Sequence, residues 1–294
     1  MKNAIDRAKI LVEALPYIRK FQGKVIVIKC GGELMENEEI KKNISQDVAL
    51  MRFVGIKPII IHGGGSQITK LLEKLGKKAE FSGGLRKTDK ETVEVVEMVL
   101  GKINKDLVSL INQSGAHAVG LSGKDGKLFK AKKFKSLKGE DLGMVGEVDE
   151  INLSIIRALD DETHLPNGEG FIPVIAPLAI TNDGLTLNIN ADTVAAELAI
   201  ALKAEKMIIL TNQPGILKNI KDEKSLISTI AVSEIEPLIK KQIIMGGMTP
   251  KVKACKKATL GGVKKTHIID GRIPHSILLE IFTDKGVGTE ITKK

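Results

Sequence analysis

The amino-acid sequence predicts an α/β fold: a mainly parallel sheet with helices on both faces. Short β-branched runs alternate with longer amphipathic segments along the whole chain, the pattern of strand–helix–strand units. Two of these runs end in glycines where a helical pattern opens. Residues 25–28, Val-Ile-Val-Ile, lead into Lys29-Cys30-Gly31-Gly32; residues 57–61 lead into His62-Gly63-Gly64-Gly65, and Ser66 opens a helix. Continuous apolar runs of this kind are strands covered on both faces. The chain has 294 residues, 43% of them hydrophobic, enough for one large domain or two lobes around a sizeable core.

The elements follow in order. Residues 3–21 carry Ile5, Ala8, Val12, Leu15 and Ile18 on one helical face, with Pro16 predicting a kink or an early end. This helix precedes the first core strand, so its apolar stripe packs either on its own lobe or on a partner subunit. A helix over 38–54, a strand over 58–61 and a helix over 66–75 come next. Residues 82–86 read as a loop. Thr88 or Asp89 caps a long helix to about residue 112. Residues 116–121 form a strand, and the Gly- and Lys-rich stretch 123–150 reads as hairpins. A helix over 151–159 and a strand over 170–176 follow, Pro173 pointing to an irregular or edge position. Asp183-Gly184 marks a turn. A helix over 193–202 leads to a buried strand over 207–210, closed by Thr211-Asn212-Gln213-Pro214-Gly215. Ser233 with Glu236 gives a capping-box pattern. Gly246-Gly247-Met248 opens a helix carrying Lys251. A strand over 266–269, a helix from Pro274 and the run Gly286-Val287-Gly288-Thr289 end the core. The turn signals place a lobe boundary near residues 176–183, and no internal repeat separates other units.

Composition narrows the function classes. Net charge is +9, aromatics are 3% and there is no Trp. The excess charge fits a lysine-rich surface or attraction to anionic small molecules, and no basic run is interleaved with stacking residues as nucleic-acid binding requires. The densest basic run, residues 127–138, alternates with Leu128, Phe129, Phe134 and Leu137 and reads as exposed strands. Two cysteines, Cys30 and Cys255, make neither a disulfide framework nor a zinc set, which points to a reducing, cytoplasmic setting. No apolar run is long enough to cross a membrane, and Asp6, Arg7, Lys9 and Glu13 break any signal-peptide core.

The motifs point to phosphate chemistry, but not by the commonest routes. There is no Gly-x-x-x-x-Gly-Lys-Ser/Thr and no protein-kinase set. No Gly-x-Gly-x-x-Gly follows the first strand, which counts against a dehydrogenase. What remains is Lys29 at a strand exit, Lys251 early in a helix opened by glycines, and Asp192 at a helix start. Phosphoryl transfer needs that inventory: cations for developing charge, backbone N–H groups for phosphate oxygens, and an acid to orient the cations.

In order and spacing these stretches resemble the acetylglutamate kinases of the amino acid kinase family over residues 24–291. The matching stretches are Lys29-Cys30-Gly31-Gly32, His62-Gly63-Gly64-Gly65, Gly84-Leu85-Arg86-Lys87-Thr88-Asp89, Val95-Val96-Glu97-Met98-Val99-Leu100-Gly101, Gly120-Leu121-Ser122-Gly123-Lys124-Asp125-Gly126, Asn188-Ile189-Asn190-Ala191-Asp192 and Gly246-Gly247-Met248-Thr249-Pro250-Lys251. The resemblance implies a three-layer αβα sandwich with an N-terminal helix extension (1–22), an N-terminal lobe for N-acetyl-L-glutamate and dimerisation (23–178), and a C-terminal lobe for ATP and an arginine site (179–294). It implies that Lys29 and Lys251 stabilise the transferring phosphoryl group and that Asp192 organises them. Gly31, Gly32, Gly63 and Gly64 would offer N–H groups to phosphate and acceptor. Arg86, Asn188 and Asn190 would hold the acetylglutamate. Thr211, Asn212, Gly215, Leu217, Gly246, Gly247 and Met248 would contact ATP, whose Mg²⁺ is held through the phosphates, with no protein metal site.

The N-terminal helix and the C-terminal pattern are similar to those of family members that arginine inhibits. That likeness implies a homohexamer, a trimer of dimers, with an arginine site at Tyr17, Lys206, His275, Glu280, Gly286 and Gly288. A PII-type signalling protein is a candidate partner. Two residues depart from the family's pattern: Cys30, either packing or a reactive thiol, and Asn212, where Asp is usual. Competing readings are a relative acting on glutamate, aspartate, carbamate or UMP, and a non-catalytic arginine sensor on the same scaffold.

Overall fold

The computed structural model describes residues 2–136, 139–161, 170–284 and 286–294. Its centre is an eight-stranded sheet whose strands come from all along the chain. In chain order these are β1 (Val25–Cys30), β2 (Lys57–His62), β5 (Ala118–Ser122), β8 (Ile172–Ala176), β11 (Lys206–Thr211), β12 (Thr229–Ala231), β13 (Lys265–Asp270) and β14 (Thr289–Thr292). The spatial order is β12-β14-β13-β11-β1-β2-β8-β5, parallel except where β14 runs against β13. β1, the first strand in the chain, is therefore mid-sheet, between β2 and β11.

Both faces of that sheet are buried, which is why the strands read as unbroken apolar runs. The strand period of two divides them. Ile26, Ile28, Cys30, Ile60, Ile208 and Leu210 face one core, with helices α2 (Glu38–Phe53), α3 (Gly65–Lys74), α4 (Lys90–Gln113) and α9 (Ser276–Phe282). Val27, Ile59, Ile61, Met207 and Ile209 face the other, with α5 (Ser154–Leu159), α6 (Ala191–Ala201), α7 (Ile235–Lys240) and α8 (Met248–Leu260). The expected three-layer αβα arrangement is what the chain builds. A small closed sheet of β6 (Phe129–Lys133), β7 (Val145–Ile151), β9 (Leu178–Ile180) and β10 (Thr186–Ile189) sits beside it.

Several local expectations need correction. Residues 82–86 are not an open loop but a tight hairpin of β3 (Phe81–Ser82) and β4 (Leu85–Arg86), turned by Gly83 and Gly84 at φ +57° and +83°, the pair of positive angles a primed hairpin turn requires. Pro173 is not at an edge, since β8 lies between β2 and β5; it is tolerated because the β2 ladder starts only at Val174. Ile151 ends β7 and the helix starts at Ser154. Ser233 and Glu236 make no capping box: Glu234 takes the Ala231 N–H instead, and Glu236 pairs with Lys256. The basic run is not simply exposed. Leu128 and Phe129 are fully buried, because this hairpin closes into the small sheet; Leu137 and Lys138 lie outside the described residues.

Helix α1 (Lys2–Phe21) continues through Pro16. Tyr17 and Phe21 pack on the core, while Ile5, Leu11, Val12 and Leu15 are half-exposed or more in the single chain. The stripe is thus not covered by the chain's own lobe; the side chain of Ala8 lies outside the described ones.

Asp89 caps α4. Its Oδ1 accepts from Thr92 N–H at 2.8 Å and from the Lys77 ammonium at 2.7 Å. The Lys77 contact and the Thr92 N–H hold the carboxyl down at about 2. Asp89→Ala should cost about 1 kcal/mol, typical of a lost cap, read as a shift in urea midpoint. A carboxyl whose folded pKa is depressed stabilises above its unfolded value near 4 and loses that contribution as pH falls. The gap between variant and native chain should therefore narrow between about pH 5 and pH 2.

Candidate active site

The strand period that divides the core also aims Lys29. It shares a face with Val27, toward α6 and α8, while Cys30 points to the opposite core. Lys29 Nζ meets Asp192 Oδ1 at 2.8 Å, and Lys251 Nζ meets Asp192 Oδ2 at 3.1 Å. Asp192 comes from the first turn of α6, whose N-cap is Asn190: its Oδ1 accepts from the N–H groups of Asp192 and Thr193 at 2.9 and 3.1 Å. Lys251 stands in the first turn of α8. Lys29 and Asp192 are buried. Burial pushes the Lys29 ammonium down and the neighbouring Asp192 charge only partly offsets it. Burial would raise the Asp192 carboxyl, but the two ammoniums override it and hold it below the usual range. The cluster carries one net positive charge.

Lys29 and Lys251 line a cavity of about 690 Å³, with Asp192 behind them. Helices α2, α4 and α6 start with capping side chains, Asn37, Asp89 and Asn190. The two helices that open onto the cavity, α3 and α8, start at Gly64 and Gly247 with no side-chain cap. Uncapped N–H groups and the helix dipole together attract anions. The two glycine turns approach closely: a Cβ on Gly32 would stand 2.7 Å from Gly65 N. Gly31 and Gly63 commit their N–H groups to Leu210 O and Cys30 O. They hold the turns rather than offering donors, and the N–H groups of Gly32 and Gly64 make no backbone bond.

All nine residues expected at the nucleotide side line this cavity, from Gly31 and Gly32 through Thr211, Asn212, Gly215 and Leu217 to Gly246, Gly247 and Met248. Arg86 lines it too. One of its terminal nitrogens donates to Gly65 O and Thr69 Oγ1 at 2.7 and 2.8 Å, and the guanidinium stacks on Phe81. The other, Nη1, is buried without a partner, a donor set for an incoming carboxylate or phosphate. Gly63, Gly64, Asn188 and Asn190 are not on the wall. Asn212 donates through Nδ2 to Glu33; an Asp there would face Glu33 with like charge. Burial pushes the Cys30 thiol up to about 12, so it packs and is inert. His62 is buried and pushed down to about 4, hence neutral, and joins Asn104 at 3.2 Å. Glu33, Ser66 and Thr69 were missed by sequence reasoning; the one available signal was their position just past each glycine turn.

A second cavity, about 550 Å³, lies between α1, α9 and β13. Tyr17, Lys206, Glu280, Gly286 and Gly288 all line it. His275 does not. It begins α9 in a left-handed conformation and its Nδ1 lies 2.6 Å from Asp47. The histidine that does face this cavity is His267, on the buried face of β13, with no motif to mark it. Glu280 Oε1 meets Lys206 Nζ at 2.7 Å and His267 Nδ1 at 3.0 Å, and Oε2 accepts from Val287 N–H at 3.0 Å. Burial would raise Glu280, but His267 and Lys206 bring it down to about 2.

A profile of the Amino acid kinase family matches residues 24–270. The acetylglutamate kinase of Caldanaerobacter subterraneus subsp. tengcongensis is 54% identical over 293 residues, 99% of this chain and 95% of that one. That of Desulforamulus reducens is 52% identical over 99% of each. Among solved structures, N-acetylglutamate synthase from Neisseria gonorrhoeae, complexed with coenzyme A and N-acetyl-glutamate, superposes with a TM-score of 0.84 at 26% identity. The match covers 98% of this chain and 63% of the synthase, so this chain spans less than two thirds of that protein's length. A Giardia carbamate kinase, 21% identical with a TM-score of 0.64, shares the fold.

Removing the shared carboxylate tests the cluster directly. Asp192→Asn leaves two ammoniums facing each other in a buried site and should cost about 3–5 kcal/mol, read by chemical denaturation at pH 7. In that variant the folded Lys29 pKa lies further below its unfolded value, so the unfolded chain binds more protons and stability should rise from pH 7 to 10.

Proposed function

The chain belongs to the amino acid kinase family, and on that premise we propose that it transfers the terminal phosphoryl group of ATP to the side-chain carboxylate of N-acetyl-L-glutamate. The observation that carries this reading is the Lys29–Asp192–Lys251 cluster beneath two uncapped helix N-termini. Whole-length identity to named acetylglutamate kinases supports the acceptor.

The chemistry follows from charge. The acceptor carboxylate, with a pKa near 4, is ionised at neutral pH, so no general base is required. A carboxylate oxygen attacks the phosphorus in line, and the electron pair of the breaking bond stays on the ADP oxygen. The barrier is mostly repulsion between anions plus positioning. Lys29 and Lys251 offset charge on the transferring group, and Asp192 keeps their ammoniums at fixed places. Gly32 N–H and the starts of α3 and α8 hold phosphate oxygens. Arg86 offers its unpartnered nitrogen to an acceptor carboxylate, with Asn188 and Asn190 beside the site. Mg²⁺, when it arrives with the nucleotide, supplies neutralisation of the phosphate charge. No group of three or more His, Cys, Asp or Glu among the described residues could hold a metal.

Regulation belongs to the second cavity. Glu280, Asp284 and Glu290 beside Lys20, Lys264 and Lys265 give it both charge signs, the complement of a zwitterion with a guanidinium. L-Arginine is the inhibitor, and α1, whose stripe is uncovered, interlaces dimers into a hexamer. The N-terminal half of the chain takes the acceptor and the C-terminal half the nucleotide. A PII-type protein is a further candidate partner. No helix among the described residues is long and apolar enough to cross a membrane.

Acyl phosphate trapped with hydroxylamine should form with N-acetyl-L-glutamate and ATP. Lys29→Ala and Lys251→Ala should each lower kcat by roughly 10²–10³-fold; activity surviving both would remove the two lysines from the chemistry, and a native chain that forms no acyl phosphate yet binds arginine would favour the sensor. L-Arginine at millimolar concentration should slow the native chain. A rate indifferent to arginine would keep the enzyme and sink its regulation.

A further inference from the structure

Among the described residues, the wall of the first cavity carries three cationic side chains, Lys29, Lys251 and Arg86, and one carboxylate, Glu33. Asp192, behind the wall, is engaged by both lysines. Glu33 opens a single helical turn, Glu33–Glu36, directly after Gly32. Its Oε2 accepts from Asn212 Nδ2, and Asn212 stands at the exit of the neighbouring strand β11, with Oδ1 3.5 Å from Thr211 Oγ1. The side chain is exposed to the cavity, and the described residues leave Oε1 without a partner.

A carboxylate beside a glycine turn that receives phosphate is repelled by a bare polyphosphate. A divalent cation between the two reverses the sign of the interaction. Magnesium binds oxygen ligands, keeps several waters, and is commonly held by one or two carboxylates together with substrate phosphates. Glu33 is the only wall residue of that kind, and Asn212 fixes it by donating to one oxygen while leaving the other toward the cavity. An amide suits that task where a second carboxylate would compete for the metal and repel Glu33.

We propose that Glu33, positioned by Asn212, is the chain's own contact to the divalent cation of the nucleotide, made directly or through a metal-bound water. The inference rests on the kinase reading above. It makes the nucleotide site selective for metal-loaded over metal-free ATP.

The test is ATP binding by calorimetry on the full chain, in EDTA and in saturating Mg²⁺, for the native protein, Glu33→Gln and Asn212→Ala. Native binding should tighten with Mg²⁺. In Glu33→Gln that gain should shrink by about tenfold, the scale of a lost metal-supporting contact, while metal-free ATP binds as well as before or better. Asn212→Ala should show a smaller loss of the same kind. The electron paramagnetic spectrum of Mn²⁺ in the protein–ADP complex should change with Glu33→Gln. If Glu33→Gln weakens metal-free and metal-loaded ATP equally, the side chain serves the ribose instead and the proposal is overturned. It is overturned equally if the variant changes neither affinity. A native chain that binds no ATP with or without Mg²⁺ would instead remove the kinase reading, and this proposal with it.

Discussion

One buried carboxylate between two lysines sets the terms for the rest of the structure. Lys29 and Lys251 approach both oxygens of Asp192 and hold its carboxyl below the usual range against burial, while the Asp192 charge partly offsets the burial that pushes the Lys29 ammonium down. Each arrives on a different element: a mid-sheet strand, the first turn of α6 and the first turn of α8. The cost of burying Lys29 and Asp192 is several kcal/mol per ion before pairing, with Lys251 half-buried beside them, so none of these elements can shift far without exposing an unpaired charge. The arrangement leaves one positive charge uncompensated. That surplus lies under two helix starts without caps, an arrangement that attracts an anion.

The second cavity uses the same residue types to the opposite end. Glu280 is fully engaged by Lys206, His267 and the Val287 N–H, so the cluster is close to self-sufficient. A ligand there has to compete with existing partners, whereas a ligand in the first cavity meets groups in want of one. Nature of charge is not what separates the two sites; saturation is. Among the described residues three buried polar atoms lack a hydrogen bond: Arg86 Nη1 beside the first cavity, His267 Nε2 beside the second, and Asp192 Oδ1, which meets Lys29 as an ion pair.

Much of this was legible in the sequence because the physics is local. A β-branched run ending in Lys-Cys-Gly-Gly states a buried strand and a tight exit, and strand alternation then separates Lys29 from Cys30. Capping chemistry marked Asp89, whereas Asn190, the cap of α6, reads in the sequence only as a substrate contact. Where tertiary context decided, local reading failed. Pro173 looked like an edge residue, yet the ladder on one side begins a residue later. Ser233 and Glu236 matched a capping pattern, but Lys256 from α8 claims Glu236. His275 and His267 are indistinguishable as letters; only the fold shows that one faces Asp47 and the other Glu280. Glu33 carried no signal beyond its place after the glycines, because its meaning depends on Asn212, a contact across 179 positions.

The two cavities are joined by a single strand. β11 begins with Lys206, in the second cavity, and ends with Thr211, in the first, a span of about 16 Å at strand rise. Every residue of β11 is buried and it is hydrogen-bonded to β1 on one side and β13 on the other. A central strand so held cannot slide in register without inverting which side chains face each core. Any influence that passes from Glu280 to Lys251 therefore has to move whole layers, tilting α9 and α1 against the sheet or rotating the sheet's two halves about the β1–β11 seam. Packed interiors respond in such discrete steps because their density leaves no room for graded compression. The seam is also where Gly31 N–H meets Leu210 O at 3.2 Å and where Glu33 and Asn212 face each other. Rotation there would alter the glycine turn and its neighbouring carboxylate together.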